Sequence, residues 1–145
     1  MTGKVIAINI SEKKGIPKRT IDDGMFEVDH GLVGDAHAGN WHRQVSLLGV
    51  ESINKMKALG IEGLCTGKFA ENLTTEGIEL FKLPVGTKMK IGATLHEVTQ
   101  IGKECHTKCA IFHQVGNCVM PTEGIFTKVL VGGTIKTDDI IEVMD

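Results

Sequence analysis

The segment "TQIGKECHTKCAIFHQVGNC", residues 99–118, concentrates thiol and imidazole chemistry. It holds Cys105, Cys109 and Cys118, three of the chain's four cysteines, together with His106 and His113. Cys105 and Cys109 are separated by three residues, which is neither the C-x-x-C pair of a dithiol redox centre nor the C-x-x-C-H of haem attachment. A structural zinc site made from Cys105, Cys109, Cys118 and a histidine has suitable donors, but not the two tight pairs usual for such sites. A reactive thiol fits better. Lys103, His106 and Lys108 set cationic or protonatable groups around Cys105, and such groups stabilise thiolate over thiol. A thiolate is a sulfur nucleophile able to carry sulfane sulfur as a persulfide, and also a soft ligand for molybdenum. Cys109, in "CAIF", and Cys65, in "GLCTG", read as inert thiols.

A second group lies in "HGLVGDAHAGNWHRQVSLL", residues 30–48, where Asp35, His37, His42 and Arg43 stand in a glycine-rich loop before an apolar strand. Three readings are open. Asp35, His37 and His42 offer oxygen and nitrogen donors to a divalent metal, though not at a structural-zinc spacing. Asp35 instead caps the loop by accepting backbone N–H groups, with the histidines exposed or paired to it. Or glycine-freed N–H groups, Arg43 and one histidine receive a phosphate or carboxylate. Glu71 and Asn72, in "GKFAENLTTEGI" (67–78), are polar neighbours of this loop or turn formers.

The elements that must position these groups are mostly strands. Eighteen glycines and three prolines punctuate alternating apolar residues. "KVIAINI" (4–10) sets Ile6, Ile8 and Ile10 on one face, and "VGTKMKI" (85–91) sets Val85, Met89 and Ile91 against Lys88 and Lys90. "ATLHEVTQ" (93–100) and "DIIEVM" (139–144) read likewise, with Gly92 turning the chain between Ile91 and Ala93. "GIFTKVLVGGTIK" (124–136) predicts a strand, a Gly132-Gly133 hairpin turn and a return strand, its first part also compatible with helix. In "VESINKMKALG" (50–60), Val50, Ile53, Met56 and Leu59 recur every three residues, with Glu51 in the first turn and Gly60 as a stop. Closely spaced strands with one packed helix and no βα repeat predict a mainly β protein, a small closed or nearly closed barrel.

At 145 residues and 41% hydrophobic content the chain reads as one domain, residues 1–145. A formal charge of −2 with dispersed basic residues excludes an electrostatic footprint for nucleic acid. No run approaches the roughly 20 apolar residues of a membrane span, and "MTGKVIAINI" is not a secretory signal. The expectation is a soluble cytoplasmic protein whose cysteines are thiols rather than disulfides.

The ordered blocks "GLVGDAHAG…RQVSLL", "FAENLTTEGI", "LPVGTKMKIGATLHEVTQIGKECH" and "MPTEGIFTKVLVGGTIKTDDIIEV" resemble the MOSC domain, named for the C-terminal region of molybdenum cofactor sulfurase. The resemblance covers nearly the whole chain. It implies a MOSC-type β-barrel related to the barrel domain of pyruvate kinase, and handling of the molybdenum cofactor, a pterin with a dithiolene and a phosphate. It places the family's reactive cysteine at Cys105. Asp35 and His37 match the G-D-x-H block, Arg43 the basic residue entering the next strand, and Glu71 with Asn72 the E-N-L block. Many members carry Arg-x-Pro-Cys where this chain has "GKEC", so Lys103 stands near the arginine position and Glu104 replaces proline, adding a negative charge that opposes thiolate formation. Larger members join the domain to a desulfurase using pyridoxal phosphate, chemistry not expected within this chain.

Three functions follow. The first is a molybdenum cofactor binding or sulfur-carrying protein in which Cys105 holds sulfur or metal, partnered by a cysteine desulfurase or a molybdoenzyme, with Asp35, His37, His42, Arg43, Glu71, Asn72, Lys103 and His106 around the cofactor. The second is a molybdenum-dependent oxidoreductase component reducing N-hydroxylated compounds. The third is a non-catalytic anion- or pterin-binding module, or one stabilised by zinc.

Overall fold

A computed structural model describes residues 1–14, 16, 18–58, 71–102 and 123–144. Among them lie strands β1 (Thr2–Ile10), β2 (Arg19–Ile21), β3 (Asp23–Glu27), β4 (Gly31–Leu32), β5 (Val45–Gly49), β6 (Leu73–Glu76), β7 (Lys88–Ile91), β8 (Thr94–Ile101), β9 (Ile125–Val131), β10 (Gly133–Lys136) and β11 (Ile140–Val143), with helix α1 at Val50–Lys57. Seven strands close a barrel in the order β11-β7-β8-β9-β5-β6-β1, and β1 pairs back to β11. Each pair in the ring is antiparallel except β5–β6. A parallel pair cannot be joined by a tight hairpin. α1 lies in that crossover and packs on both strands.

Alternation does what the sequence reading expects along β7, where Met89 and Ile91 are buried and Lys88 and Lys90 exposed. Val5, Ile8, Val45, Leu47, Leu73, Val98, Ile125, Val129 and Ile141 join them in one core. Each such side chain contributes roughly 1.5–3 kcal/mol on burial. β10, β3 and β4 form a separate three-stranded sheet that supplies Phe26, Leu32 and Ile135 to the same core. No helix among the described residues is long and apolar enough to cross a membrane.

Three local expectations are corrected. Gly132-Gly133 does not turn a hairpin: β9 is held on both sides by β5 and β8, so it has no edge left, and β10 pairs with β3 instead. Ile6 does not share a fully buried face with Ile8 and Ile10. The register shifts between Val5 and Ala7 opposite Thr75 and Thr74, leaving Ile6 as the extra, half-buried residue. Val85 is exposed, because the strand begins only at Lys88, after a turn with Gly86 at positive φ. The helix ends at Lys57 with Ala58 as its cap and buries Ile53 and Met56; Leu59 and Gly60 fall outside the described residues.

Candidate functional site

The loop between β4 and β5 carries the polar cluster, and its two ends touch. Gly31 has φ +110°, and a Cβ there would stand 2.5 Å from the Gln44 carbonyl oxygen, so only glycine allows this approach. Inside the loop, Gly39 N donates to His30 O at 2.7 Å and Trp41 Nε1 to His37 O at 3.0 Å. Ala36 N donates to Ser11 O at 2.7 Å, tying the loop to the residue after β1.

At its centre Asp35 is buried against Lys18. Lys18 Nζ lies 2.6 Å from Asp35 Oδ1, with both side chains 1% exposed. Asp35 also accepts Ser11 N at 3.0 Å and His37 N at 3.2 Å. Burial alone raises the Asp35 carboxyl, but the hydrogen bonds from Lys18 and Ser11, the Lys18 charge and the Asn72 amide outweigh it and hold the group below its ordinary value. Asp35 is therefore a fixed anion. His37, with a partly exposed ring, places Nδ1 3.4 Å from Lys18 Nζ and 3.8 Å from Asp35 Oδ2.

The other half of the loop meets the end of β8. Gln100 Oε1 lies 2.9 Å from His42 Nε2 and accepts Arg43 Nε at 3.0 Å, while Gln100 Nε2 donates to Gly102 O at 2.8 Å. A register shift between Val98 and Gln100 leaves Thr99 as an extra residue on β8, and its hydroxyl donates to the His42 carbonyl. The Arg43 guanidinium lies 5.2 Å from the centre of the Phe126 ring, a cation–π arrangement that holds it in place. Trp41 links the halves, bonding His37 O and meeting the His42 ring edge-on at 5.8 Å.

Glu71 and Asn72 sit behind the loop, at 0% and 1% exposure. Asn72 Oδ1 accepts Ser46 N at 3.0 Å and Asn72 Nδ2 donates to Asn9 O at 3.3 Å, joining β5 to β1. Glu71 Oε2 accepts the Thr74 hydroxyl at 2.7 Å, and that hydroxyl accepts Asn9 Nδ2 at 3.1 Å. These two residues brace the barrel wall under Asp35.

The structure thus gathers Asp35, His37, His42, Arg43, Glu71 and Asn72 around one loop, with His42 turned to Gln100 and not to Asp35. Cys105, Lys103, His106, Lys108, Cys109, Cys118 and Cys65 lie outside the described residues. No three His, Cys, Asp or Glu side chains among the described residues are placed to hold a metal. Sequence reasoning missed Lys18 and Gln100. Lys18 lies in "GIPKRT", where nothing in type or spacing separates it from a surface lysine, and Gln100 reads as an ordinary strand end. A separate groove between α1 and the turn at Leu80–Lys82 has its charges already paired, Lys55 and Ser52 with Glu123, and Glu51 with Gly77 N.

Among solved structures, the YuaD protein from Bacillus subtilis superposes with a TM-score of 0.82 at 19% identity, over 99% of this chain and 96% of that one. YiiM from Geobacillus stearothermophilus superposes at 0.74 and 18% identity, over 99% and 75%. YiiM from Escherichia coli does so at 0.68 and 18%, over 98% and 70%. At such identities the likeness is one of fold. No curated protein matches the sequence. The model of the MOSC domain matches residues 34–142, from the Asp35 loop through β11, and the chain belongs to the MOSC domain family.

Proposed function

We propose that this chain binds the molybdenum cofactor or carries sulfur for it, with Cys105 holding the sulfur or the metal and His37, His42 and Arg43 meeting the cofactor's anionic end. The observation that supports this most is the clamp of Gln100 on His42 and Arg43. β8 brings the chain through that clamp to Gly102, three residues before Cys105. Three residues of extended chain span at most about 11 Å. This reading would set the thiol within that reach of the strand end that carries the clamp.

The donor set suits a phosphate. Arg43 is oriented by Gln100 and Phe126 through its Nε edge and its face, so its terminal NH2 groups would meet the anion. Asp35, being buried and paired with Lys18, would not repel it as an exposed carboxylate would. When bound, the cofactor supplies a redox-active metal on a dithiolene; this chain's residues would hold, orient and shield it. Sulfur would come from a cysteine desulfurase bearing its own pyridoxal phosphate, and a molybdoenzyme would receive the product.

The test is elemental analysis for Mo, W and Zn on anaerobically purified protein, joined to intact mass after incubation with a desulfurase and cysteine. The expected result is retained molybdenum or one added sulfur atom in the wild type and neither in Cys105→Ser. Absence of both from the wild type, or their persistence in the variant, overturns the proposal. Zinc alone would instead favour a stabilised binding module.

A further inference from the structure

Gln100 is the hub between His42 and Arg43, and its amide is oriented by neighbours with only one hydrogen-bonding role each. Gly102 O can only accept, so at 2.8 Å it faces Gln100 Nε2. Arg43 Nε can only donate, so at 3.0 Å it faces Gln100 Oε1. Turning the amide over would set oxygen against oxygen at one end and N–H against N–H at the other. The same Oε1 lies 2.9 Å from His42 Nε2. A carbonyl oxygen presents lone pairs only, so His42 Nε2 must carry hydrogen for that contact to attract. Trp41 meets the ring edge-on at 5.8 Å, and Thr99 on β8 donates its hydroxyl to the His42 carbonyl, so ring and backbone are both anchored.

We infer that Gln100 is a positioning residue that fixes neutral His42 as the Nε2–H tautomer, so that an oxyanion engages this ring only together with one proton. The Nε2–H is spent on Gln100, and Nδ1 of the neutral ring carries a lone pair, which repels an anionic oxygen. Two arrangements turn that repulsion into a hydrogen bond. Nδ1 takes a proton from solvent and donates it to the anion as imidazolium, or a protonated oxyanion such as hydrogen phosphate donates its own O–H to Nδ1. Either complex holds one proton more than the neutral ring and the bare anion apart. The charged group in this network is Arg43, which shares Oε1 and lies over Phe126 of β9. On the packed strands, Glu97 of β8 and Lys128 of β9 are paired with each other at 3.5 Å, and among the described residues no carboxylate lies within ion-pair distance of the His42 ring. The charge of the ligand, and no resident acid, therefore drives the proton uptake.

The role of Gln100 deepens the functional proposal, and rests on it only for the choice of an oxyanion as ligand. Its test needs neither Cys105 nor molybdenum. Long-range 1H–15N spectra of the labelled chain, at alkaline pH where an ordinary imidazole is neutral, report which ring nitrogen of His42 carries hydrogen. Sulfate is the probe for binding, because its charge does not change near neutrality. We expect hydrogen on Nε2 and, by titration calorimetry in two buffers of different ionisation heat, net proton uptake with sulfate. The affinity should weaken by up to about tenfold per pH unit above the imidazole range. In His42→Gln the uptake should vanish, and in Gln100→Leu it should fall as the ring is freed to turn an N–H toward the anion. Hydrogen on Nδ1 in the wild type overturns the tautomer, sulfate bound without proton uptake overturns the coupling, and no sulfate binding overturns the ligand class. Should Gln100→Leu fail to fold, the wild-type spectrum and proton count still decide. A chain with this tautomer and this proton uptake that retains no molybdenum and accepts no sulfur would sink the functional proposal and leave the present one standing.

Discussion

Lys18 and Asp35 form an ion pair 2.6 Å long beneath the surface of the loop, each side chain almost wholly removed from water. Breaking such a pair by deleting one partner costs about 3–5 kcal/mol, because the other charge stays buried without compensation. Lys18→Met should therefore lower stability by that order, read from the urea midpoint. The double variant Lys18→Met/Asp35→Leu should recover part of the loss; a double variant as unstable as the sum of the singles would show that the two charges do not act as a pair.

Acid should unfold the protein in two stages, and His96 governs the first. Its ring is fully buried, with Nδ1 2.9 Å from the Thr127 hydroxyl and no partner for Nε2 among the described residues. Burial lowers its pKa from 6.5 to about 3. The folded state resists a proton that the unfolded chain accepts, so stability is complete above pH 6.5 and declines as pH falls toward about 3. The full effect is of order 5 kcal/mol at 1.36 kcal/mol per unit. His96→Gln should flatten stability against pH between about 6.5 and 4.

Asp35 governs the second stage. Its carboxyl is held below the ordinary value, so its contribution is present above the unfolded pKa of 3.8 and disappears as pH drops through the folded value. In the His96→Gln background, the remaining acid sensitivity should lie below about pH 4 and shrink in Lys18→Met/Asp35→Leu. Circular dichroism across a pH series separates the two stages.

Gly31→Ala should destabilise by about 2 kcal/mol or more, since it adds a methyl 2.5 Å from the Gln44 carbonyl oxygen at φ +110°. The damage should extend to the site, because Gln44 precedes β5 and its Oε1 accepts Val129 N. Chemical denaturation and the His37 and His42 NMR signals check the two effects together.

Arg43→Met should weaken binding of inorganic phosphate by tenfold or so, about 1.4 kcal/mol, with a smaller loss of stability. Gln100→Ala should act in the same direction through loss of orientation while keeping the charge. Titration calorimetry at two salt concentrations distinguishes them: the salt dependence should fall with Arg43→Met and persist with Gln100→Ala.

Much of this architecture is legible in single residues. Met89 and Ile91 alternate with lysines, Gly92 turns between two strands, and Ile53 and Met56 mark the buried side of α1, each because local period reports which face meets the core. Pairing is not local. The sequence pattern of β9 and β10 suggests a hairpin, yet β9 finds both its edges taken by strands far away in the chain. The site divides in the same way. Asp35, His37 and Arg43 announce themselves by type and by resemblance, whereas Lys18 acquires its role only when the fold sets it against Asp35, 17 residues further along the chain.

Contact between β1 and β11 bears on how the molecule is made. The ring is sealed by segments near opposite ends of the stretch from Thr2 to Val143, and loops that long are slow to close. On a ribosome, β1 would emerge well before β11, and its edge at Thr2–Lys4 would stay without that partner until β11 follows. Crowding of nascent chains would then favour pairing of that edge with a neighbour.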